Sequence, residues 1–397
     1  MKVLISGAGI AGPALALWLG RYGTEVTVVD DAPRPRPGGQ AVDVRGTARE
    51  VVDRMSLAAA IRAARLDERG LAMVDARGRR RVEMPAEMFG GEGIVAELEI
   101  LRGDLAAILL GATRENAEYR FGERVTSLAQ NADGVDVGFA SGCHERYDVV
   151  VGADGVHSGV RALAFGPDAD FVRHLGAYTA YFTVPAGNHL DPWFLMYNAP
   201  GGRVAGLRPD RDGAAKAYLS FTSPPLSEAD LRDPRRVTSE QMAGAGWRVP
   251  ELLAAMPHAA DFVFSAVEQV RVDEWFRGRV VLLGDAGYCG SPLAGHGTSL
   301  ALVGAYVLAG ELTERRSDPP AAFRAYQRAM QVYVDTCTKL PTGGVRAYAP
   351  QSALMIRMRQ LSMRSMLRPP MRSILEREFR KGDGMVLPDY EVRSAVE

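Results

Sequence analysis

The sequence predicts an α/β protein in three parts: a three-layer domain around a parallel sheet, an antiparallel sheet inserted into it, and a helical C-terminal region. Three observations carry this. Short, near-continuously apolar runs (Val3-Leu4-Ile5, Val26-Thr27-Val28-Val29, Val149-Val150-Val151, Val280-Val281-Leu282-Leu283) recur far apart in the chain, as strands buried on both faces do. Between residues 172 and 270 the texture changes to aromatic-rich runs separated by turns. From 320 to 380 the pattern is helical, with breaks at Pro341 to Gly344 and at Pro369-Pro370.

Taken in order, Lys2 to Ser6 is a strand running directly into Gly7-Ala8-Gly9-Ile10-Ala11-Gly12. Ala14 to Leu19 gives a short helix its apolar face, and Val26 to Val29 is a second strand ended by Asp30. Pro33 to Gly39 is a loop, because alternating prolines forbid both helix and interior strand. Thr47 to Ala64 returns to helix, with its Arg and Glu residues on a solvated face. Residues 71–99 carry alternating runs such as Arg81-Val82-Glu83-Met84 and predict antiparallel hairpins. Leu101-Arg102-Gly103-Asp104-Leu105 opens a helix to about Arg114, and strands follow at 125–128 and 135–139. Val149 to Val151 leads into Gly152-Ala153-Asp154-Gly155. The inserted sheet takes Tyr178 to Phe182, Phe194 to Tyr197 and Tyr218 to Phe221, with a helix near 239–255. Val280 to Leu283 is again a buried strand, ending at Gly284-Asp285-Ala286, and a long helix starts after Gly297. The resulting division is a discontinuous three-layer domain at 1–75, 101–171 and 277–318, an inserted domain at 76–100 and 172–276, and a helical region at 319–397.

Composition narrows the possibilities. The chain has 397 residues, 47% of them hydrophobic and 24% charged, enough for two or three domains. A net charge of -1 without long like-charge blocks points away from nucleic acid or a membrane as a main partner. The three cysteines, Cys143, Cys289 and Cys337, lack metal-ligand spacing, and Cys289 reads as a small buried packing residue. The run Leu300 to Leu312 is interrupted by Gly304, Gly310 and Glu311, short of the ~18–20 apolar residues of a membrane span. A first strand that enters a glycine loop at once cannot be a cleaved leader, so the expected location is cytoplasmic. The methionines between residues 320 and 380 read as core.

The first glycine loop carries chemistry. Gly7 permits the tight turn, Gly9 lets backbone approach a pyrophosphate, and Gly12 lets helix and strand pack closely. The helix start at Ile10 and Ala11 offers free N–H groups to phosphate. Asp30, about 20 residues on, suits a ribose 2′-OH and disfavours a 2′-phosphate. The loop therefore predicts the adenosine of FAD or NAD, and by itself it does not separate the two.

Together with Gly152-Ala153-Asp154-Gly155 (followed by Arg161) and Gly284-Asp285-Ala286, the pattern resembles the single-component flavin monooxygenases of the para-hydroxybenzoate hydroxylase type, near the tetracycline-modifying branch and its actinobacterial relatives. The resemblance covers nearly the whole chain. It implies an FAD-binding Rossmann-like three-layer domain in which Gly39 and Arg45 run beside the flavin, Arg102 meets a phosphate or ribityl oxygen, and Asp285 binds the ribityl chain. It implies that Asp154 touches FAD and helps dock the reductant. Pro292, Gly295, His296, Gly297 and Thr298 form the loop under the isoalloxazine. Departures occur at Asp31, where relatives carry a basic residue that Arg34 or Arg36 would replace, and at His296, commonly glutamine.

The implied reaction uses NAD(P)H, bound transiently, and O2 to oxygenate an aromatic or polyketide-like small molecule through a C4a-(hydro)peroxyflavin. No catalytic side chain and no metal are assigned, because the cofactor carries the chemistry. Thr179, Tyr181, Met196, Arg208, Tyr218 and Phe221 are the candidate substrate-pocket residues, with Arg208 expected to reach solvent. The chain is expected to be a monomer or a homodimer. The competing readings are another flavin redox enzyme on the same scaffold, a flavin-loaded binding protein, and a flavin-free dehydrogenase. A halogenase is disfavoured because Val249 stands two residues after Trp247, so the Trp-x-Trp signature is missing.

Overall fold

The computed structural model describes residues 1–36, 38–89, 98–185, 192–210, 213–373, 376 and 384–390. The chain opens with β1 (Lys2–Ser6), α1 (Ala11–Arg21), β2 (Glu25–Asp30), β3 (Ala41–Asp43), α2 (Thr47–Arg54) and α3 (Ala58–Ala63). It continues with β4 (Gly70–Val74), β5 (Arg80–Pro85), β6 (Glu99–Leu101), α4 (Arg102–Gly111), β7 (Glu118–Phe121), β8 (Val125–Gln130), β9 (Val135–Phe139), β10 (His144–Tyr147) and β11 (Val149–Gly152). After α5 (Gly159–Ala164) and α6 (Asp168–Phe171) come β12 (Val172–Pro185), β13 (Phe194–Ala199), β14 (Arg203–Pro209) and β15 (Ala214–Thr222). Three helices, α7 (Glu228–Arg232), α8 (Pro234–Met242) and α9 (Val249–Ala255), precede β16 (Val263–Val270), β17 (Phe276–Arg277) and β18 (Val280–Leu282). The chain then runs through α10 (Asp285–Tyr288), α11 (Gly297–Glu314), α12 (Pro319–Cys337), α13 (Gly344–Tyr348) and α14 (Ala353–Met366).

Two large sheets organise these elements. The first has the order β17-β18-β11-β1-β2-β7, parallel throughout except for the edge strand β17. Its central strands are apolar on both faces because helices cover both: Val3, Leu4, Ile5, Val149, Val150 and Val151 are fully buried. The second has the order β16-β12-β15-β14-β13-β4-β5 and is antiparallel except where β13 meets β4.

That last pairing corrects the expected division of the chain. Residues 70–74, assigned from sequence to the first domain, are β4 of the second sheet. The hairpin with β5 ties this strand to residues 80–85, which the sequence division gives to the inserted domain. The run from Leu300 to Leu312 belongs to the long helix expected after Gly297. It lies inside α11, whose residues Thr298 to Leu312 are all buried. Its glycines admit close neighbours: a Cβ at Gly304 would lie 2.4 Å from the Tyr288 hydroxyl, and one at Gly310 would lie 2.2 Å from the Tyr390 ring. Each fully buried Leu or Val of α11 contributes about 1.5–3 kcal/mol.

Candidate active site

The register of the first sheet assembles the site. Ser6 pairs with Val29 on one side and with Gly152 on the other, and Gly152 pairs with Leu282. The residues that follow these strands therefore emerge side by side at one sheet edge: the glycine loop at 7–12, Asp30 at the end of β2, Ala153-Asp154, and Gly284-Asp285. The crevice of an open parallel sheet lies at this carboxyl edge.

The glycines there are sterically required. Gly7 has φ +112°, and a Cβ on it would lie 2.3 Å from the Ala153 carbonyl oxygen. A Cβ on Gly12 would lie 1.9 Å from the Gly7 oxygen. Ile10 precedes α1 with no side-chain cap, so the first N–H groups of Ala11 and its successors remain for a ligand. The Asp30 carboxylate accepts from the Ala8 N–H at 2.8 Å and the Ala32 N–H at 2.9 Å, tying the loop to the end of β2.

Arg102 lies across this loop. A Cβ at Gly9 would sit 3.2 Å from its Nη2, and one at Gly39 would sit 3.7 Å from its Cβ. Its backbone N–H donates to the Gln40 carbonyl at 2.8 Å, and that of Gly103 donates to Gly38 at 2.7 Å, so loop and helix start are fastened together. Burial pushes the Asp285 carboxyl upward, and the charge of Arg102 partly offsets it. Asp285 is nevertheless exposed to water, as a residue on a groove floor is. A Cβ at Gly297 would lie 3.8 Å from its Oδ1. Cys289, just beyond, is buried as expected.

Arg45 is buried against the start of α11. Its Nη2 meets Asp43 at 2.7 Å. Its N–H donates to Ser299 Oγ at 3.3 Å, and the Ser299 hydroxyl donates to its carbonyl at 3.2 Å. Between these parts run Pro292, Gly295 and Gly297, all exposed, with His296 preceding α11 and no side-chain cap on that helix either. Gly295 has φ +73° with open space where a Cβ would stand. Thr298 is buried in the first turn.

Other predicted residues sit differently. The Asp154 carboxylate is occupied inside the protein, accepting from Ser158 Oγ, from Ser6 Oγ at 3.3 Å and from the Val160 N–H at 3.1 Å. Arg161, wholly buried, donates to the carbonyls of Ala286 at 2.8 Å and Val156 at 2.5 Å and so splices two glycine segments together. His157 bridges Glu268 at 3.1 Å and Asp168 at 2.8 Å, which lift its pKa to about 9. Asp31 and Arg34 are exposed beyond β2, with Asp31 facing Arg124 across 3.9 Å.

The second sheet supplies a wall. Residues directly opposite in paired strands share a face, and one row reads Tyr181, Tyr218, Gly206, Met196, Met73. The neighbouring rows place Thr179 with Ser220, and Lys216 with Arg208, on the same face. This face looks toward the groove: Lys216 Nζ would lie 3.3 Å from a Cβ at Gly38. Lys216 had no local sequence signal.

Two expectations fail here. Phe221 is not on the wall. It opposes Tyr178 on the other face, fully buried, with ring centroids at 6.1 Å from Tyr178 and 6.3 Å from Phe264. Strand parity forbids Tyr218 and Phe221, three positions apart, from sharing a face. Arg208 does not reach solvent. It pairs with Glu68 at 3.0 Å and with Glu99, both buried.

Two uncapped helix starts, carboxylates at Asp30 and Asp285, the Arg102 guanidinium and side-chain-free faces at Gly9, Gly39, Gly295 and Gly297 fit a flavin dinucleotide laid along the sheet edge. Such a groove defines a flavin-binding oxidoreductase. The sequence profile described as FAD binding domain matches residues 1–329, and the chain belongs to that family. It is 41% identical over 353 residues to an uncharacterized protein of Mycobacterium tuberculosis, covering 88% of this chain and 94% of that one. It is 38% identical over 343 residues to a flavin-dependent monooxygenase of Legionella longbeachae, covering 85% and 87%. The solved structure of the tetracycline destructase Tet(55) superposes with a TM-score of 0.80 at 34% identity over 98% of both chains. The chain is thus a flavoprotein monooxygenase with FAD as cofactor and NAD(P)H as co-substrate. Among the described residues no helix is long and apolar enough to cross a membrane.

Proposed function

We propose that this monooxygenase hydroxylates a polycyclic, polyketide-like aromatic held between the groove and the wall of Thr179, Tyr181, Met196 and Tyr218. The observation that carries the proposal is the two-sidedness of the second sheet. One face is consumed by α8 and α9 around Val237, Val249 and Leu252. The other carries Met73, Phe194, Met196 and Tyr218, with Tyr348, Met363 and Leu367 packed against them from the C-terminal region, and meets the groove side at Lys216 and Arg208. A broad apolar wall with hydroxyls at Thr179, Tyr181 and Tyr218 suits a large, flat, hydroxylated ring system better than a small acid. The likeness to a tetracycline destructase supports the same class.

The residue roles follow from position. The α1 start behind Gly9 would hold the pyrophosphate, Asp30 the adenosine ribose, and Arg102 with Asp285 the phosphate and ribityl oxygens. Bound there, FAD supplies hydride acceptance from NAD(P)H and activation of O2. The start of α11 would place a positive dipole end beneath the ring and favour its anionic reduced form. Gly295 and Gly297 keep that approach free of side chains, and the apolar wall excludes water from the reacting face. Buried Arg45, pinned by Ser299, positions the flanking loop.

The test is a screen of phenolic polyketides and tetracyclines for accelerated NAD(P)H oxidation, with mass spectrometry of the products. A polycyclic phenol should speed oxidation and gain one oxygen atom. Acceleration confined to monocyclic acids, with polycycles inert, would overturn the substrate class.

A further inference from the structure

The outer face of α14 is unlike the rest of the surface. No residue of this helix is buried. Leu354, Met358 and Leu361 are 67%, 62% and 70% exposed, and their spacing puts them on one stripe. Arg357, Arg364 and Arg368, also exposed, line one edge of that stripe at helical spacing. From residue 351 to 373 the sequence has five arginines and no acidic residue. The β4–β5 hairpin beside it adds Arg77, Arg79, Arg80 and Arg81 against Asp75 and Glu83. It is joined to α14 where Arg364 Nε donates to the Arg81 carbonyl at 2.5 Å.

The inner face of the helix is anchored. Arg359 donates to Asn198 Oδ1 at 2.8 Å and to the Tyr348 carbonyl at 2.9 Å, and Met363 and Leu367 pack on the cluster containing Met196 and Tyr218. The stripe is therefore a fixed ridge and not a loose helix seeking its own core.

We infer that α14 is a peripheral docking surface for an anionic lipid bilayer, its Leu354-Met358-Leu361 stripe entering the interface and its arginines meeting the headgroups. A ridge of exposed aliphatic side chains edged on one side by cations is what an interfacial helix presents. Anionic headgroups supply the missing counter-charge. A second copy of the chain fits less well, because an antiparallel two-fold contact through this ridge would set arginine rows against each other. The whole-chain charge of -1 conceals this local excess. Docking here would bring the outer side of the substrate wall to the membrane, where apolar aromatics concentrate. The binding itself does not depend on the substrate.

The test is flotation of the FAD-loaded enzyme with phosphatidylcholine vesicles, with and without phosphatidylglycerol. The enzyme should float with the anionic vesicles and be released by salt as the charges are screened. The double variant Met358→Glu/Leu361→Glu should lower the vesicle-bound fraction at least about tenfold. Arg357→Gln/Arg368→Gln should reduce binding to the anionic vesicles. Each variant should retain its flavin, which reports folding. Val332→Glu, at an exposed apolar residue of α12, should bind as the parent does. No flotation with either vesicle, flotation indifferent to the stripe substitutions, or a sedimenting dimer that Met358→Glu/Leu361→Glu dissolves would each overturn the inference.

Discussion

At Glu99 a carboxyl group is held where water does not reach it, and burial raises its pKa well above the unfolded 4.5, with Arg208 only partly opposing the rise. Arg208 faces two buried carboxyls, Glu68 and Glu99, so a single proton on Glu99 balances the charge of the three. A carboxyl with a raised folded pKa contributes stability that is complete below pH 4.5 and declines as pH rises through the folded value. Glu99→Gln mimics the protonated form. It should match the parent near pH 4.5 and gain on it toward neutrality. Arg208→Met removes the cation from the buried Glu68–Glu99 pair and should cost about 3–5 kcal/mol at neutral pH. Urea unfolding of both variants across that range checks the pair of outcomes. Equal damage from the two substitutions at neutral pH would mean that Glu99 is ionised and Arg208 serves both carboxylates.

At the scale of elements, the start of α11 is the part most exposed to a single change. Gly297 faces Asp285 across the groove and is exposed, so a large side chain there is compatible with the fold and obstructs the ligand. Gly297→Leu should leave the thermal midpoint nearly unchanged and weaken FAD binding by more than about tenfold, ~1.4 kcal/mol, measured by flavin titration. Unaltered affinity would remove the loop from the cofactor site. This region was legible because glycine spacing, an apolar strand before it and a helix after it all point to the same turn. The strands of the first sheet were legible for the same kind of reason, being apolar on both faces. What escaped was non-local. The partners of Arg208 lie 140 and 109 positions away in the chain, and nothing near residue 208 announces them. Ser299 grips Arg45 from 254 positions away. Phe221 is a different case, since its parity relative to Tyr218 is readable in the sequence. Gly304 and Gly310 interrupt an apolar run in the sequence, and only the tyrosines that fill their space account for them.

Across the whole molecule, the second sheet separates two tasks by alternation along each strand, and substitution can tell them apart. Phe221 lies on the face closed by α8 and α9, stacked near Tyr178 and Phe264, with no path to the groove. Phe221→Ala removes a fully buried ring and should cost about 3–5 kcal/mol, because the rigid sheet cannot collapse onto the cavity. The fraction that folds should keep the parent's kcat and KM, since the wall is untouched. Tyr181 occupies the opposite face, half-buried beside Tyr218 at 6.3 Å between centroids. Tyr181→Ala should therefore raise KM for the polycyclic substrate by about tenfold while costing less stability than the Phe221 variant. It should also increase NAD(P)H oxidation that yields no product, as water enters where the ring stood. Chemical denaturation and steady-state kinetics on the two purified variants, at a temperature where both are folded, give the comparison. If Phe221→Ala shifted KM and Tyr181→Ala did not, the substrate would lie on the helix-covered side, and the groove and the wall could not belong to one site.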